Sequence, residues 1–309
     1  MIYTLTLNPA IDREMTIKEV QFDAVLSAVN SQVDLGGKGF NVSRLLRSMD
    51  VSSTALGFVG GHAGEQLREG LHALGIATDF VSIPGETRTN ISIVTEQHDH
   101  YLKVNEKGPW VDEAKQRELL EKVAVLAKAG DWWVLAGSVP PGVPASYYAQ
   151  IIEILNQHQA VCILDTTGES LRLGCAVKPF LVKPNAEEVN KLTDLPVGTT
   201  EQIAVAAAAL QTMGAQHVVV SLGKDGALLR TANETWLVRS PKIQEKNPIG
   251  AGDSMVGGMV WALSQGLSLK EALGWGAASG AATASLSGTE VGSRTLIETL
   301  YQQVEYKPL

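Results

Sequence analysis

The stretch Val161-Cys-Ile-Leu-Asp165 is a short, mainly apolar strand pattern that follows a helical pattern over Ala145–Gln157. The same alternation continues on both sides of it. The further segments, in chain order, are helix Asp112–Lys128, strand Trp133–Ala136, strand Phe180–Lys183, a helix from near Asn185, helix Thr200–Met213, strand His217–Leu222, and helices Ala251–Gln265 and Leu269–Ser285. Apolar strands that alternate with helices are typical of a parallel sheet with helices on both faces. The sequence therefore predicts an α/β protein.

The N-terminal third has a different pattern. Shorter stretches in which polar and apolar residues alternate, such as Asn90–Val94, occur around Arg13–Leu35 and Thr87–Lys107. Such alternation predicts strands with one solvated face, outside the main parallel sheet. We expect these segments, near residues 9–35 and 87–107, to form a small lid over the carboxyl edge of the sheet, where α/β proteins bind ligands. No repeat or linker divides the chain, so residues 1–309 are expected to form a single domain.

Composition and charge exclude several classes of protein. Acidic residues outnumber basic ones by 33 to 25, which argues against binding to duplex nucleic acid through a basic face. Cys162 and Cys175 lie in apolar surroundings without metal-ligand spacing, so we expect buried thiols in a reducing compartment. No apolar run approaches a membrane span, and the opening MIYTLTLNPAID predicts a first strand rather than a signal peptide. We expect a cytoplasmic protein with no membrane or nucleic-acid partner.

The strongest local signal is Asn247-Pro-Ile-Gly-Ala-Gly-Asp-Ser-Met-Val-Gly-Gly258. Its small residues Gly250, Ala251 and Gly252 allow a tight turn that presents several backbone N–H groups to one point, and the following helix adds the positive end of its dipole. Negative charge on a transferred phosphoryl group would be stabilised there. Asp253, in the first helical turn, suits a base that accepts a proton from an attacking hydroxyl. The alternative is a structural glycine turn with a capping aspartate; the motif alone does not separate the two.

A second glycine segment, Gly36-Gly-Lys-Gly-Phe-Asn41, precedes a helical run. Its glycines permit close approach of the backbone to a ligand, while Lys38 and Asn41 add a cation and an amide. It is not a P-loop, because Lys38 is followed by glycine; Lys224 is likewise followed by aspartate. No Gly-x-Gly-x-x-Gly opens the first βαβ unit, which argues against a nicotinamide-dependent dehydrogenase. His98 and His100 flank Asp99 in a segment expected to be a solvated loop, without the further ligands that a metal site requires.

Four ordered motifs together resemble the PfkB (ribokinase-like) carbohydrate kinase family over nearly the whole chain. They are GGKGFN at residues 36–41, KPNAEE at 183–188, SLGKDGA at 221–227 and NPIGAGDSMVGG at 247–258. The resemblance implies a three-layer ribokinase-like α/β fold, with a mostly parallel central sheet flanked by helices and a small β-strand lid. It also implies an ATP-dependent, Mg²⁺-assisted kinase that forms a homodimer through the lid strands.

Within this family the chain is most similar to the phosphosugar kinases. Residues 8–12 (NPAID), 87–90 (TRTN) and 183–185 (KPN) carry this likeness, and residues 1–12, 55–61 and 179–185 resemble the 1-phosphofructokinases most. The implied reaction is transfer of the γ-phosphoryl group of ATP to the C6 hydroxyl of fructose 1-phosphate. Ser92 stands where 1-phosphofructokinases usually carry a lysine, so tagatose 6-phosphate and fructose 6-phosphate remain alternatives. A non-catalytic sugar-phosphate sensor is a further alternative, against which the intact Asp253, Asn185 and Glu188 argue.

The resemblance also assigns roles to individual residues. Asp253 would be the base and Gly250, Ala251 and Gly252 the anion hole. The residues implied to bind the phosphorylated ketohexose are Asp12, Gly37, Lys38, Asn41, Arg88, Asn90 and Ser138. Those implied to shape the ATP site are Lys183, Asn185, Ser221, Gly223 and Gly226. Asn185 and Glu188 would organise Mg²⁺, partly through water.

Overall fold

A computed structural model of the chain describes residues 1–96 and 101–309. The expected loop with His98 and His100 lies outside the described residues. The strands are β1 Ile2–Thr6, β2 Ala10–Ile17, β3 Asn30–Gly36, β4 Thr54–Val59, β5 Ala77–Thr78, β6 Val81–Ser82, β7 Arg88–Thr95, β8 Tyr101–Val104, β9 Trp132–Ala136, β10 Val161–Asp165, β11 Leu181–Val182, β12 His217–Ser221, β13 Ala227–Arg230, β14 Thr235–Arg239 and β15 Glu305–Pro308. The helices are α1 Lys38–Ser48, α2 Gly61–Ala73, α3 Glu113–Leu126, α4 Tyr147–Gln157, α5 Gly168–Ala176, α6 Ala186–Thr193, α7 Thr200–Thr212, α8 Ala251–Ser264, α9 Leu269–Ala284 and α10 Arg294–Tyr301.

The central sheet has the order β15-β14-β13-β12-β11-β10-β9-β1-β4-β5, and β6 also pairs with β4. From β12 to β5 neighbouring strands are parallel, whereas β13, β14 and β15 extend the sheet with antiparallel pairs. The predicted α/β class with a mostly parallel sheet is therefore confirmed. The antiparallel extension was not predicted.

Both faces of the parallel sheet are buried, which explains the wholly apolar strands. On β9, Trp133 and Leu135 face a core layer that includes Tyr148 of α4. The intervening Val134 and Ala136 face a second layer, with residues from α1, α8 and α9 such as Met255. Alternate side chains of one strand thus enter opposite layers, as the period of a β-strand requires.

Helices α8 and α9 pack closely because glycines face each other across their interface. A Cβ atom on Gly258 would lie 2.3 Å from Ser279 Oγ and 2.7 Å from the carbonyl oxygen of Trp275. The N terminus of α9 is fixed by a capping box between Ser268 and Glu271. Close packing holds α8 firmly, and α8 begins at the glycine turn singled out above. Within the described ranges, no helix is long and apolar enough to span a membrane.

The N-terminal strand segments form a separate sheet with the order β3-β2-β7-β8. Residues 18–29, inside the predicted segment Arg13–Leu35, contain no strand or helix. Register places Asp12 opposite both Asp34 and Asn90, so these three polar residues share one face. Arg13, Val33 and Ile91 share the other, largely apolar face. The second sheet therefore has one polar face and one largely apolar face.

Substitution Gly258→Ala tests the packing of α8 on α9. Because the added methyl group would meet the Trp275 backbone, we expect the free energy of unfolding to fall by about 1–3 kcal/mol, measured by thermal and urea denaturation. The matched control is Gly198→Ala, whose Cβ would lie 3.3 Å from a side-chain atom, Gln202 Oε1, rather than against backbone. Equal stability of the two variants would contradict the packing argument.

Candidate active site

The carboxyl ends of neighbouring parallel strands converge on one region. Asp165 ends β10, Lys183 directly follows β11 and Ser221 ends β12. The N termini of α1 and α8 reach the same region, because Asn41 of α1 contacts Asp253 of α8. Open α/β sheets bind ligands at the carboxyl ends of their strands. These polar side chains therefore lie at the edge where a ligand is expected.

The turn before α8 leaves backbone donors free. Gly250 has φ +78°, a left-handed conformation that favours glycine, and its carbonyl oxygen accepts the first intrahelical bond, from Ser254 N. The amides of Gly252 and Asp253 precede that bond and have no intrahelical acceptor. A Cβ on Gly252 would lie 3.6 Å from Lys183 Nζ, so an ammonium group is adjacent to these amides. The arrangement suits an anion with several oxygens.

Asn247 holds the turn in place. Its Oδ1 accepts a hydrogen bond from Ile249 N at 3.0 Å, and its Nδ2 donates to the carbonyl oxygen of Gly288 at 2.8 Å. Because the two bonds engage both ends of one side-chain amide, they fix the backbone just before Gly250. Asn247 belongs to the predicted motif but had no predicted role.

The carboxylate of Asp253 is buried, and Asn41 Nδ2 donates to its Oδ2 at 2.8 Å. Burial and the nearby Asp165 raise the pKa of Asp253 from 3.8 to about 6, against the opposing effects of Lys38, the Asn41 hydrogen bond and Lys183. A carboxylate with this pKa is ionised near neutral pH and is a stronger base than an ordinary aspartate.

Asp165 joins two of the predicted lysines. Its Oδ1 lies 3.2 Å from Lys38 Nζ and its Oδ2 lies 3.5 Å from Lys183 Nζ. Asp165 is only 1% exposed. Burial lowers the pKa of Lys38, but attraction to Asp165 and Asp253 outweighs burial, so its pKa is raised overall. Lys38 thus lies beside a carboxylate as well as beside the predicted sugar site.

Sequence reasoning did not single out Asp165. The available signal was its position, because it is the last residue of a predicted apolar strand in a parallel sheet, at the edge where ligands bind. Its partner Lys38 is 127 residues away in the chain, so no local motif contains both.

On the side of the second sheet, Asp12 and Asn90 form a pair in which Asn90 Nδ2 donates to Asp12 Oδ1 at 2.7 Å. The other carboxylate oxygen of Asp12 lies 2.3 Å from the position that a Cβ on Gly36 would take. Only glycine fits there, and this places the carboxylate against the GGKG segment. A Cβ on Gly37 would likewise lie 2.8 Å from the Phe40 ring.

The guanidinium group of Arg88 is partly engaged by the protein itself. Nη2 donates to the carbonyl oxygen of Asn8 at 2.9 Å and Nη1 to that of Glu106 at 3.0 Å. Burial lowers the pKa of Arg88, with Asp12 and Glu106 acting in the opposite direction. Arg88 lines an open cleft of about 680 Å³ with Glu106 and Trp110. Ser138 Oγ lies beside Asn8, at 3.5 Å from its Nδ2.

At the other end of the site, Asn185 and Glu188 form a capping box. Asn185 Oδ1 accepts from Glu188 N and Glu188 Oε2 accepts from Asn185 N, both at 2.8 Å. Asn185 also forms an isolated parallel bridge with Ser221. Gly223 has φ +59° and open space beside it, whereas a Cβ on Gly226 would lie 1.9 Å from the Val238 carbonyl oxygen. Gly226 is thus required for packing against β14, and open space for a ligand exists beside Gly223.

No cluster of three or more metal-binding side chains of His, Cys, Asp or Glu occurs in the described part of the chain. The capping box engages only one carboxylate oxygen of Glu188. Asp165 Oδ2 is buried without a hydrogen-bond partner, but it lies 3.5 Å from the Lys183 ammonium group and is not free for a metal. The second carboxylate oxygen of Glu188 fits Mg²⁺, which keeps several waters and takes its other ligands from substrate phosphates. These residues do not form a complete protein cage for a metal.

Comparisons with known proteins agree with this geometry. The model of the pfkB family of carbohydrate kinases matches residues 6–296. The 1-phosphofructokinase of Bacillus subtilis (strain 168) is 36% identical over 305 residues, which cover 99% of each chain. The 1-phosphofructokinase of Borreliella burgdorferi is 35% identical over 285 residues, 92% of each chain. Phosphofructokinase-2 from Escherichia coli, solved in complex with fructose-6-phosphate, has a TM-score of 0.90 and 31% identity, covering 97% of this chain and 98% of that one.

The raised pKa of Asp253 predicts how Asp253→Asn changes stability. Because the pKa is higher in the folded chain, about 6 against 3.8, ionisation of Asp253 destabilises the fold as the pH rises through this interval. We expect the variant to be more stable than the wild type by about 1–3 kcal/mol near pH 8, and this gain to disappear near pH 4. Urea denaturation across this pH range measures the difference. A variant less stable than the wild type near pH 8 would contradict the assignment.

Proposed function

The chain belongs to the pfkB family of carbohydrate kinases, and we propose that it transfers the γ-phosphoryl group of ATP to the C6 hydroxyl of fructose 1-phosphate. The product would be fructose 1,6-bisphosphate. The observation that carries the proposal is the buried Asp253 carboxylate, with a pKa of about 6, beside the free amides of the α8 turn. Base and anion site lie within one helical turn, as direct phosphoryl transfer requires.

In this mechanism Asp253 accepts the proton of the sugar hydroxyl as its oxygen attacks the γ-phosphorus atom. The bond from phosphorus to the β–γ bridging oxygen breaks, and ADP leaves with that electron pair. Asn41 orients the carboxylate through its 2.8 Å hydrogen bond. The amides of Gly252 and Asp253, with Lys183, stabilise the negative charge on the transferred group. No covalent enzyme intermediate is needed.

The sugar would bind between the second sheet and α1, with the second sheet acting as the lid. Asp12 and Asn90 suit contacts with sugar hydroxyls, and Arg88 suits the existing phosphate. Gly37, Lys38, Asn41 and Ser138 are the further predicted contacts. Fructose 6-phosphate and tagatose 6-phosphate are the alternative acceptors. Fructose 6-phosphate is the first alternative to test, because the similar Escherichia coli phosphofructokinase-2 was solved in complex with fructose-6-phosphate.

ATP would lie along the carboxyl ends of β11 and β12, with its phosphates near Lys183 and its remaining part in the open space beside Gly223. Asn185, Ser221 and Gly226 shape this region. Asn185 and Glu188 would organise hydrated Mg²⁺, partly through water; when bound, the ion neutralises charge on the nucleotide phosphates. A cytoplasmic location stays a prediction. A non-catalytic sensor role stays an alternative to the kinase.

A substrate panel tests the proposed reaction. With ATP and Mg²⁺, we expect the largest kcat/KM for fructose 1-phosphate among fructose 1-phosphate, fructose 6-phosphate, tagatose 6-phosphate and fructose. Asp253→Asn should lower kcat by about 10²–10⁴-fold, because the base is lost. In the wild type, kcat/KM should fall as the pH drops below about 6, because protonated Asp253 cannot accept a proton.

The matched control is Asp194→Asn, at the exposed C-cap of α6, which should retain full activity. Preference for a 6-phosphate would keep the mechanism and replace the substrate. Absence of turnover with every sugar would overturn the kinase proposal in favour of the sensor.

We further propose that the apolar face of the second sheet forms a homodimer contact. Val33, Ile91, Leu102 and Val104 are all exposed, by 36–58%, and register places them on the same face. A second copy of this face would cover them and remove their apolar surface from water. The catalytic residues lie toward the opposite face, so pairing leaves the site open.

Charged substitutions test the contact. Ile91→Glu with Leu102→Glu should convert a dimer into a monomer, because two carboxylates cannot be buried in an apolar interface. Light scattering after size exclusion measures the mass. Val125→Glu is the control, since Val125 is 80% exposed on α3, outside the second sheet. A monomeric wild type, or a dimer that survives the double substitution, would contradict the proposal.

A further inference from the structure

The polar face of the second sheet presents its side chains in rows. One row contains Asp34, Asp12 and Asn90, and the next contains Gln32, Glu14, Ser92 and Lys103. Lys103 is the residue directly opposite Ser92 in the antiparallel pair of β7 with β8. The 2.7 Å bond between Asn90 and Asp12 shows that this face carries the predicted sugar-binding residues. Lys103 therefore projects from the same face as the sugar site.

This face holds more negative than positive charge. Asp12, Asp34 and Glu14 are carboxylates, whereas Arg88 and Lys103 are the cations among the strand residues described on this face. A sugar phosphate that carries up to two negative charges would be repelled by the carboxylates unless cations face it. The number of available cations thus decides whether a phosphorylated substrate is favoured over a neutral sugar.

The other cations predicted for the site are already engaged. Lys38 and Lys183 both lie against Asp165, at 3.2 and 3.5 Å. Two nitrogens of Arg88 donate to backbone carbonyl oxygens. Lys103 is exposed, and among the described residues no hydrogen bond or ion pair engages its ammonium group. It can therefore contact a ligand without first breaking a contact within the protein.

The reach of the side chain fits this role. Rows on one face of a strand are about 7 Å apart, so the Asn90 row lies about 7 Å from the Ser92–Lys103 row. An extended lysine spans a comparable distance, and Ser92 is too small to block the path across β7. A phosphate bound beside Asn90, whose row lies between the rows of Arg88 and Lys103, is within reach of Lys103.

We propose that Lys103 is a specificity residue that binds the phosphate group already present on the sugar substrate. The proposal rests on the proposed phosphosugar kinase function and adds to it the cation that selects the phosphorylated sugar. Lys103 takes no part in the proton transfer at Asp253. Its loss should weaken binding of the substrate and leave the chemical step intact.

Lys103→Met removes the charge and retains most of the length. We expect KM for fructose 1-phosphate, and its dissociation constant by calorimetry without ATP, to rise about tenfold, the usual effect of losing one charge-assisted hydrogen bond. kcat should change by less than about twofold, since the contact is present in both ground and transition states. kcat/KM for unphosphorylated fructose should not fall.

Two further variants test whether the charge itself matters. Lys103→Arg should retain binding of fructose 1-phosphate. Adding Ser92→Lys to Lys103→Met should restore that binding, because the new lysine lies on the neighbouring strand.

The matched control is Lys128→Met, which removes an exposed lysine between α3 and β9, outside the second sheet. An unchanged KM in Lys103→Met, an equal rise in Lys128→Met, or an equal loss for fructose would overturn the role of Lys103. If the wild type turns over fructose 1-phosphate and the variants give one of these results, the proposed function stands and only the role of Lys103 is refuted. A wild type that neither binds nor phosphorylates any phosphosugar refutes both.

Discussion

The buried carboxylate of Asp165 is the contact on which the charge arrangement of the site depends. It lies against Lys38 from α1 and Lys183 from the end of β11, and its charge raises the pKa of the nearby Asp253 of α8. Charges removed from water need partners, and removing one partner of a buried pair typically costs about 3–5 kcal/mol. The carboxyl ends of β10 and β11 and the N termini of α1 and α8 must therefore meet at one point for the charges to be tolerated.

The same proximity accounts for the raised pKa of Asp253, the proposed base. Asp253 is buried beside another carboxylate, and its pKa is raised because neither burial nor Asp165 favours a second negative charge. Lys38, Lys183 and Asn41 limit the rise and keep the carboxylate usable near neutral pH. A structure optimised only for stability would not place two carboxylates together, so the proximity of Asp165 and Asp253 supports the proposed role of Asp253 as a base.

Much of this could be predicted from the sequence, because strong local patterns mark it. Val161–Asp165 is a strand with the predicted bounds, and α8 begins at Ala251 as its glycine turn indicates. Helices α2, α5 and α10 and the β13–β15 extension were not predicted. The extension contains short strands, and the constraint that shapes it, the approach of Gly226 to Val238, is visible only after the strands pair. Asp165 was missed for the same reason, because its significance comes from partners distant in sequence.

The second sheet is tied to the catalytic turn by one short segment, residues 285–291. Thr289 Oγ1 donates to Asp34 Oδ1 on β3 at 2.5 Å, and the carbonyl oxygen of neighbouring Gly288 accepts from Asn247 just before the turn. Asp34 lies directly opposite Asp12 in the sheet register. The proposed sugar-binding face and the proposed anion-binding turn are thus both held by consecutive residues, Gly288 and Thr289. Because phosphoryl transfer depends on alignment of the attacking oxygen with the phosphorus atom, this shared support would keep the two halves of the proposed site aligned.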